Sequence, residues 1–173
     1  MIGLASCRSL DVPERGESLQ LASSAENDVK VVIALERTAS DQFALSATFT
    51  PLVSGLYLYS KDIPKTGIDG LGRPTLLELP QDSKIEALGE LMESIPAQTP
   101  SVEPKDLLVY PPGEVSLSIS VALPSGTCWV NEDVSVTYMA CSEKGCKPPV
   151  IDKKIMVRVP CLGSVSNPLT EGN

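Results

Sequence analysis

Histidine is absent from the chain. That absence removes Ser-His-Asp and Cys-His nucleophilic catalysis, histidine-containing zinc sites and imidazole acid–base chemistry. Aromatic residues make up only 4% of the sequence, so a core must rest on Val, Leu, Ile and Ala. Positive charge is also short: 14 Lys and Arg against 22 Asp and Glu give a net charge of -8. Phosphate binding needs a basic surface, so nucleic acid is excluded as an expected partner. No apolar run approaches the roughly 20 residues needed to span a bilayer as a helix. No basic amphipathic helix of the membrane-surface kind is present either.

What the chain does have is 15 prolines, 12 glycines and five cysteines. The prolines and glycines imply many turns, which suits short strands better than a helical bundle. At 173 residues there is length for one domain with a true core and tails. The first cysteine lies in Leu4-Ala5-Ser6-Cys7, which resembles a bacterial lipoprotein cleavage box. A full signal needs a charged start and a longer apolar stretch, so a trimmed signal and a chance match both stay open. If the match is real, Cys7 is a lipidation candidate, and the other four cysteines are an even number in an oxidising compartment.

Residues 8–27 are polar without a sustained period, and residues 1–27 read as a tail or tether. From Asp28 the pattern changes. DVKVVIALE and QFALSATFT are strand candidates, followed by GLYLYS, a Gly/Pro-rich loop, and TLLELP. SKIEALGELMES then breaks the rhythm. Ile85, Leu88, Leu91, Met92 and Ile95 recur at helical spacing, and Ser83 with Glu86 forms a capping-box pattern, so a short helix is expected here. EVSLSISVAL alternates cleanly, as a half-buried antiparallel strand does. DVSVTYMA and IDKKIMVRV complete the set. The expected fold is an all-β, immunoglobulin-like sandwich over residues 28–161 with a short helical insertion, and 162–173 as a C-terminal tail.

The stretch YMACSEKGCKPP joins the last two strands. With Val134, Val136 and Tyr138 facing the core on one arm, and Ile151, Ile155, Val157 and Val159 on the other, Cys141 and Cys146 share the outer parity. They straddle a four-residue loop, Ser142 to Gly145, where Gly145 accommodates a positive φ. Cross-strand neighbours need only modest adjustment to form a disulfide. Pro148 and Pro149 lack backbone N–H groups, which leaves the arm after Cys146 loosely laddered and the sulfurs accessible. Lys144 and Lys147 favour a thiolate at Cys146, and Glu143 opposes them. Three readings fit this spacing: a structural staple, a working dithiol, or a soft copper site built from Met139, Cys141, Cys146 and Met156.

The stretch VTYMACSEKGCKPPV resembles the signature of the disulfide bond corrector family, domains similar to the amino-terminal periplasmic domain of thiol:disulfide interchange protein DsbD. GLYLYSKDIPKTGIDGLGRPTLLELP and LLVYPPGEVSLSISVAL also resemble that family's earlier strands and loop. The sharpest element is Tyr138-x-x-Cys141 with Cys146-x-Pro148-Pro149. The resemblance implies an immunoglobulin-like sandwich and a periplasmic or otherwise extracytoplasmic location. It implies that Cys141 and Cys146 pass reducing equivalents between thioredoxin-like proteins, with Cys146 joining the partner in a mixed disulfide. No cofactor or metal is expected, and membrane contact only through a lipid anchor or a separate transmembrane partner. The sequence departs from the family in a tighter inter-cysteine loop and in the absence of aromatics from Ser83 to Ser94. In that stretch Leu88, Leu91 or Met92 is the expected shield for the cysteines.

Cys128 and Cys161 lie near register across the same hairpin and on its inner parity, so a second, structural disulfide is expected between them. Trp129 beside Cys128 reads as a core or rim residue. Tyr57, Tyr59 and Tyr138 read as packing in an aromatic-poor core rather than as a recognition surface. The competing function is a non-catalytic immunoglobulin-like binding module whose cysteines are staples.

Overall fold

A computed structural model describes residues 12–39, 42–126 and 129–162. Alternation decides the architecture. In the strand Val29–Ala39, Val29, Val31, Ile33 and Leu35 are buried while Lys30 and Glu36 are exposed. β-branched residues on every second position suit a pleated face covered on one side only. The strands in chain order are β1 (Ser18–Glu26), β2 (Val29–Ala39), β3 (Gln42–Pro51), β4 (Tyr57–Leu58), β5 (Leu76–Glu78) and β6 (Glu86–Ala87). They continue with β7 (Met92–Glu93), β8 (Val115–Ala122), β9 (Val130–Tyr138), β10 (Ala140–Ser142), β11 (Gly145–Cys146) and β12 (Val150–Val159).

One antiparallel sheet runs β1-β2-β3-β8, with β6 and β7 both pairing along the far edge of β8. A second runs β12-β9-β5, and a small third sheet runs β11-β10-β4. The inner faces share one apolar core, which includes Ile33, Leu45 and Leu117 from the first sheet and Val134, Val136 and Val157 from the second. Phe49 and Tyr138 meet edge to face across it, with ring centroids 5.7 Å apart. The fold is the expected all-β sandwich.

Three local expectations are corrected. No helix exists among the described residues, and the Ser83–Ser94 stretch instead lies along β8. Leu88 and Ser94 donate their N–H groups to Ser120 and Ser116, and only Ile85 of the helical-period residues is buried. The open edge of β8 offers these backbone groups a ladder, and that outweighs a weak, glycine-interrupted helical pattern. Ser83 accepts from the Ile85 N–H and donates to Glu132, leaving Glu86 outside any capping box.

The expected N-terminal tail contains β1, an edge strand over Ser18–Glu26. Its alternation is hard to see because it covers β2 with mostly exposed, serine-rich side chains and carries a register shift between Gln20 and Ala22. The expected inward position of Ile151 is also wrong: Ile151 is 54% exposed, and Val150 points inward. Asp152, at φ 48°, makes a bulge in β12, so the pairing shifts between Val150 and Lys153. Ile155, Val157 and Val159 do face inward, as expected.

Candidate functional site

β9 ends at Tyr138, and after Met139 the chain leaves β12 and pairs with β4, placing Ala140 opposite Leu58 and Cys141 opposite Tyr57. The chain then turns back on itself. Cys141 pairs with Cys146 and Ser142 with Gly145, which leaves a two-residue turn, Glu143-Lys144, rather than a four-residue loop. Ser142 Oγ accepts from the Lys144 N–H and closes the turn. Gly145 sits at φ 136°, a conformation open to glycine. Cys141 and Cys146 are joined by a disulfide, with Cα atoms 4.0 Å apart.

The two sulfurs occupy unlike environments. Cys141 has the outer parity, but that face is itself covered. A second small core of Tyr59, Ile63, Leu107 and Val109 buries it completely. Cys146, on the edge strand β11, is exposed. The expectation of two accessible sulfurs therefore holds for Cys146 alone.

The Tyr59 hydroxyl lies 3.1 Å from Cys141 Sγ, to which it donates, and 3.8 Å from Cys146 Sγ. Burial, then the neighbouring Tyr57, pushes the Tyr59 hydroxyl up to about 12, so it stays a proton-bearing donor at neutral pH. Its ring meets Tyr57 edge to face. The Tyr59 carbonyl accepts both the Thr75 hydroxyl and the Thr75 N–H, which fixes the backbone beneath the ring. Gly72 packs against the ring. A Cβ there would lie 2.8 Å from Leu107 Cδ1 and 3.2 Å from Tyr59 Cε1.

An apolar pocket of about 450 Å³ opens beside Cys146, walled by Tyr57, Leu71, Val102, Pro104, Met139 and Pro149 among others. Leu71 and Val102 are 55% and 68% exposed. Leu71 is held out by a tight hairpin: Ile68 and Leu71 exchange backbone hydrogen bonds around Asp69-Gly70, both at positive φ. Arg73 staples that loop by donating to the carbonyls of Thr66, Gly70 and Gly72. Val102 is presented by a loop in which Lys105 donates to the carbonyls of Pro100 and Ser101. The hydrophobic cover near the pair therefore comes from residues 71 and 102, whereas Leu88, Leu91 and Met92 are absent from the pocket lining.

The supporting residues have distinct places. Tyr138 is buried in the main core and donates to the Glu26 carbonyl rather than to a sulfur. Lys147 is paired with Asp28 at 2.5 Å, and Lys144 is exposed on the turn. The Pro148 carbonyl accepts from Asn27, and Pro149 lines the pocket. Of the copper candidates, Met139, Cys141 and Cys146 come together here while Met156 lines a separate groove with Lys154 and Glu132, and the closed disulfide leaves neither cysteine a thiolate to offer a metal. Cys161 is buried and bonded to no other cysteine among the described residues, and Cys128 and Cys7 lie outside those residues, as does the Cys128–Cys161 pairing. Sequence reasoning missed Tyr59 as a sulfur ligand. The YLYS repeat puts Tyr57 and Tyr59 on the same face of a strand, and the pairing of β4 with β10 is what brings that face to the cysteines.

No protein-family model matches the chain, and no curated protein matches it. A solved structure of the GAE domain of GGA2p from Saccharomyces cerevisiae is similar at 11% identity, with a TM-score of 0.39. The match covers 82% of this chain and 99% of that one, and it is too distant to carry an argument.

Proposed function

We propose that the chain is an extracytoplasmic thiol–disulfide interchange protein that carries two electrons at a time between thioredoxin-like proteins through Cys141 and Cys146. The observation that supports this reading is the asymmetry of the pair: one sulfur exposed beside an apolar pocket, the other buried against a hydroxyl donor. That division directs exchange, because attack falls on the accessible sulfur and the buried one, facing a hydroxyl donor, leaves as the thiolate.

The chemistry runs as follows. A partner thiolate attacks Cys146 Sγ, a new sulfur–sulfur bond forms, and the Cys141–Cys146 bond breaks. The electron pair goes to Cys141, whose thiolate accepts the Tyr59 O–H. A second partner thiolate then attacks the partner's own sulfur in the mixed disulfide and expels Cys146 as a thiolate. The pair has gained two electrons and takes two protons from solvent, while the partner leaves as a disulfide. The reverse sequence reduces a protein disulfide elsewhere. The resemblance of VTYMACSEKGCKPPV to the disulfide bond corrector family supports the same roles and an extracytoplasmic setting.

A titration in glutathione buffers, read by thiol alkylation and peptide mass spectrometry, tests this reading. The expected midpoint falls between about -180 and -270 mV, the range of known exchange proteins. Cys141→Ser whose Cys146 is first converted to the thionitrobenzoate mixed disulfide is expected to trap a thioredoxin that lacks its resolving cysteine, with release of thionitrobenzoate, and Cys146→Ser treated alike is expected not to. A bond that survives well below about -300 mV would make the pair a staple and the domain a binding module.

A further inference from the structure

The stretch from Cys146 to Val150 has few attachments of its own. β11 contributes two ladder pairs, Lys147 donates its N–H to the Ala140 carbonyl, and Pro148 and Pro149 have no N–H to give. The remaining contacts come from far away in sequence. Asn27 Nδ2 donates to the Pro148 carbonyl at 2.9 Å, and Asp28 pairs with Lys147 at 2.5 Å. Both residues form the turn between β1 and β2, at φ 51° and 62°. That turn is tied down on its own account: Glu26 accepts Lys153 and, through its carbonyl, the Tyr138 hydroxyl, while the Asp28 carbonyl accepts the Leu52 N–H.

We infer that Asn27 and Asp28 are positioning residues for the cysteine pair, clamping the strand that carries Cys146 so that the two thiols stay together once the disulfide opens. This inference rests on the exchange reading. While the disulfide is closed, the bond itself holds β11 and the clamp is largely redundant. When the bond is open, the clamp, the two-rung ladder and the Lys147 N–H bond to Ala140 are what hold the strand that carries Cys146 among the described residues. Loosening the clamp gives the reduced state freedom that the oxidised state lacks, lowering the effective concentration of one thiol at the other. The disulfide then becomes easier to reduce, and the midpoint moves to less negative values.

The test compares Asn27→Gly, Asp28→Asn and Glu26→Gln in the full chain. Glycine and asparagine both tolerate positive φ, so the turn survives in the first two. Glu26→Gln weakens the neighbouring contact to Lys153 without touching residues 147–148. Midpoints are read in glutathione buffers, or in dithiothreitol buffers if the pair proves more reducing. Asn27→Gly and Asp28→Asn are each expected to make the disulfide about three- to tenfold easier to reduce, about 15 to 30 mV less negative. Glu26→Gln is expected to leave the midpoint in place. Asn27→Gly changes no charge, so its shift reads the clamp and not the freeing of Lys147. Wild-type midpoints in both folded variants would overturn the inference, and so would an equal shift in Glu26→Gln. A wild-type midpoint below about -300 mV would sink the exchange reading instead, and the comparison between variants would still report on the clamp.

Discussion

A hydroxyl aimed at a sulfur favours the thiolate over the disulfide, because hydrogen bonds to a charged acceptor are roughly twice as strong as neutral ones. Tyr59 makes that contact with Cys141, the sulfur that has no access to water. Replacing Tyr59 with Phe keeps the ring against Gly72 and Leu107 and removes only the donor. The reduced state then loses about 1 kcal/mol relative to the oxidised one, equivalent to a midpoint about 20 mV more negative. The thiol of Cys141 is expected to titrate higher in the same variant, measured by thiolate absorbance of the reduced protein. An unchanged or less negative midpoint would remove Tyr59 from the mechanism. The cysteines themselves were legible, since two thiols across a turn with prolines behind them have few explanations. Tyr59 was not, because it reaches Cys141 across 82 residues through the pairing of β4 with β10, and local pattern does not encode that.

Elements with one buried face were the readable ones. β2, β3, β8 and β9 alternate because one side meets the core, and periodicity reports that directly. Elements whose existence depends on a neighbour's free edge were not. β1 lies along β2 with few buried side chains, and β6 and β7 are two-residue rungs on β8. The bulge in β12 was equally silent. Asp152 takes φ 48° and its N–H reaches Thr137 Oγ1, so two residues face one and the inward parity moves from Val150 to Ile155. Glycine accepts this conformation freely, whereas a β-branched residue does not. Asp152→Val is therefore expected to be about 1–2 kcal/mol less stable than Asp152→Gly, measured by urea unfolding. Equal stability of the two would mean that the bulge relaxes and that register in β12 is not fixed by this residue.

The scarcity of aromatics gives the whole molecule a common weakness at alkaline pH. Three of its four tyrosines are buried, and each hydroxyl ties separate parts of the chain together. Tyr59 donates to Cys141, Tyr138 donates from β9 to the Glu26 carbonyl in β1, and Tyr110 donates to Glu93 while accepting the Lys61 N–H. Burial pushes Tyr59 and Tyr138 up to about 12, and burial with the Glu93 hydrogen bond pushes Tyr110 higher still. The unfolded chain releases these protons near the ordinary tyrosine value of about 10. Between those values the folded state holds protons that the unfolded state has lost, so stability falls as pH rises. Below about pH 10 the contribution is fully present. Through the window from about 10 to 12, each tyrosine removes up to about 1.4 kcal/mol per pH unit, and the three together about 4. The urea midpoint is therefore expected to be flat on this account up to about pH 10 and to drop steeply above it, with tyrosinate absorbance rising in step with unfolding. Tyrosinate absorbance that rose to completion while the fold stayed intact would show that these hydroxyls reach solvent without the sandwich opening. The ties among β1, β9 and the cysteine hairpin would then contribute far less to holding the molecule together than their burial indicates.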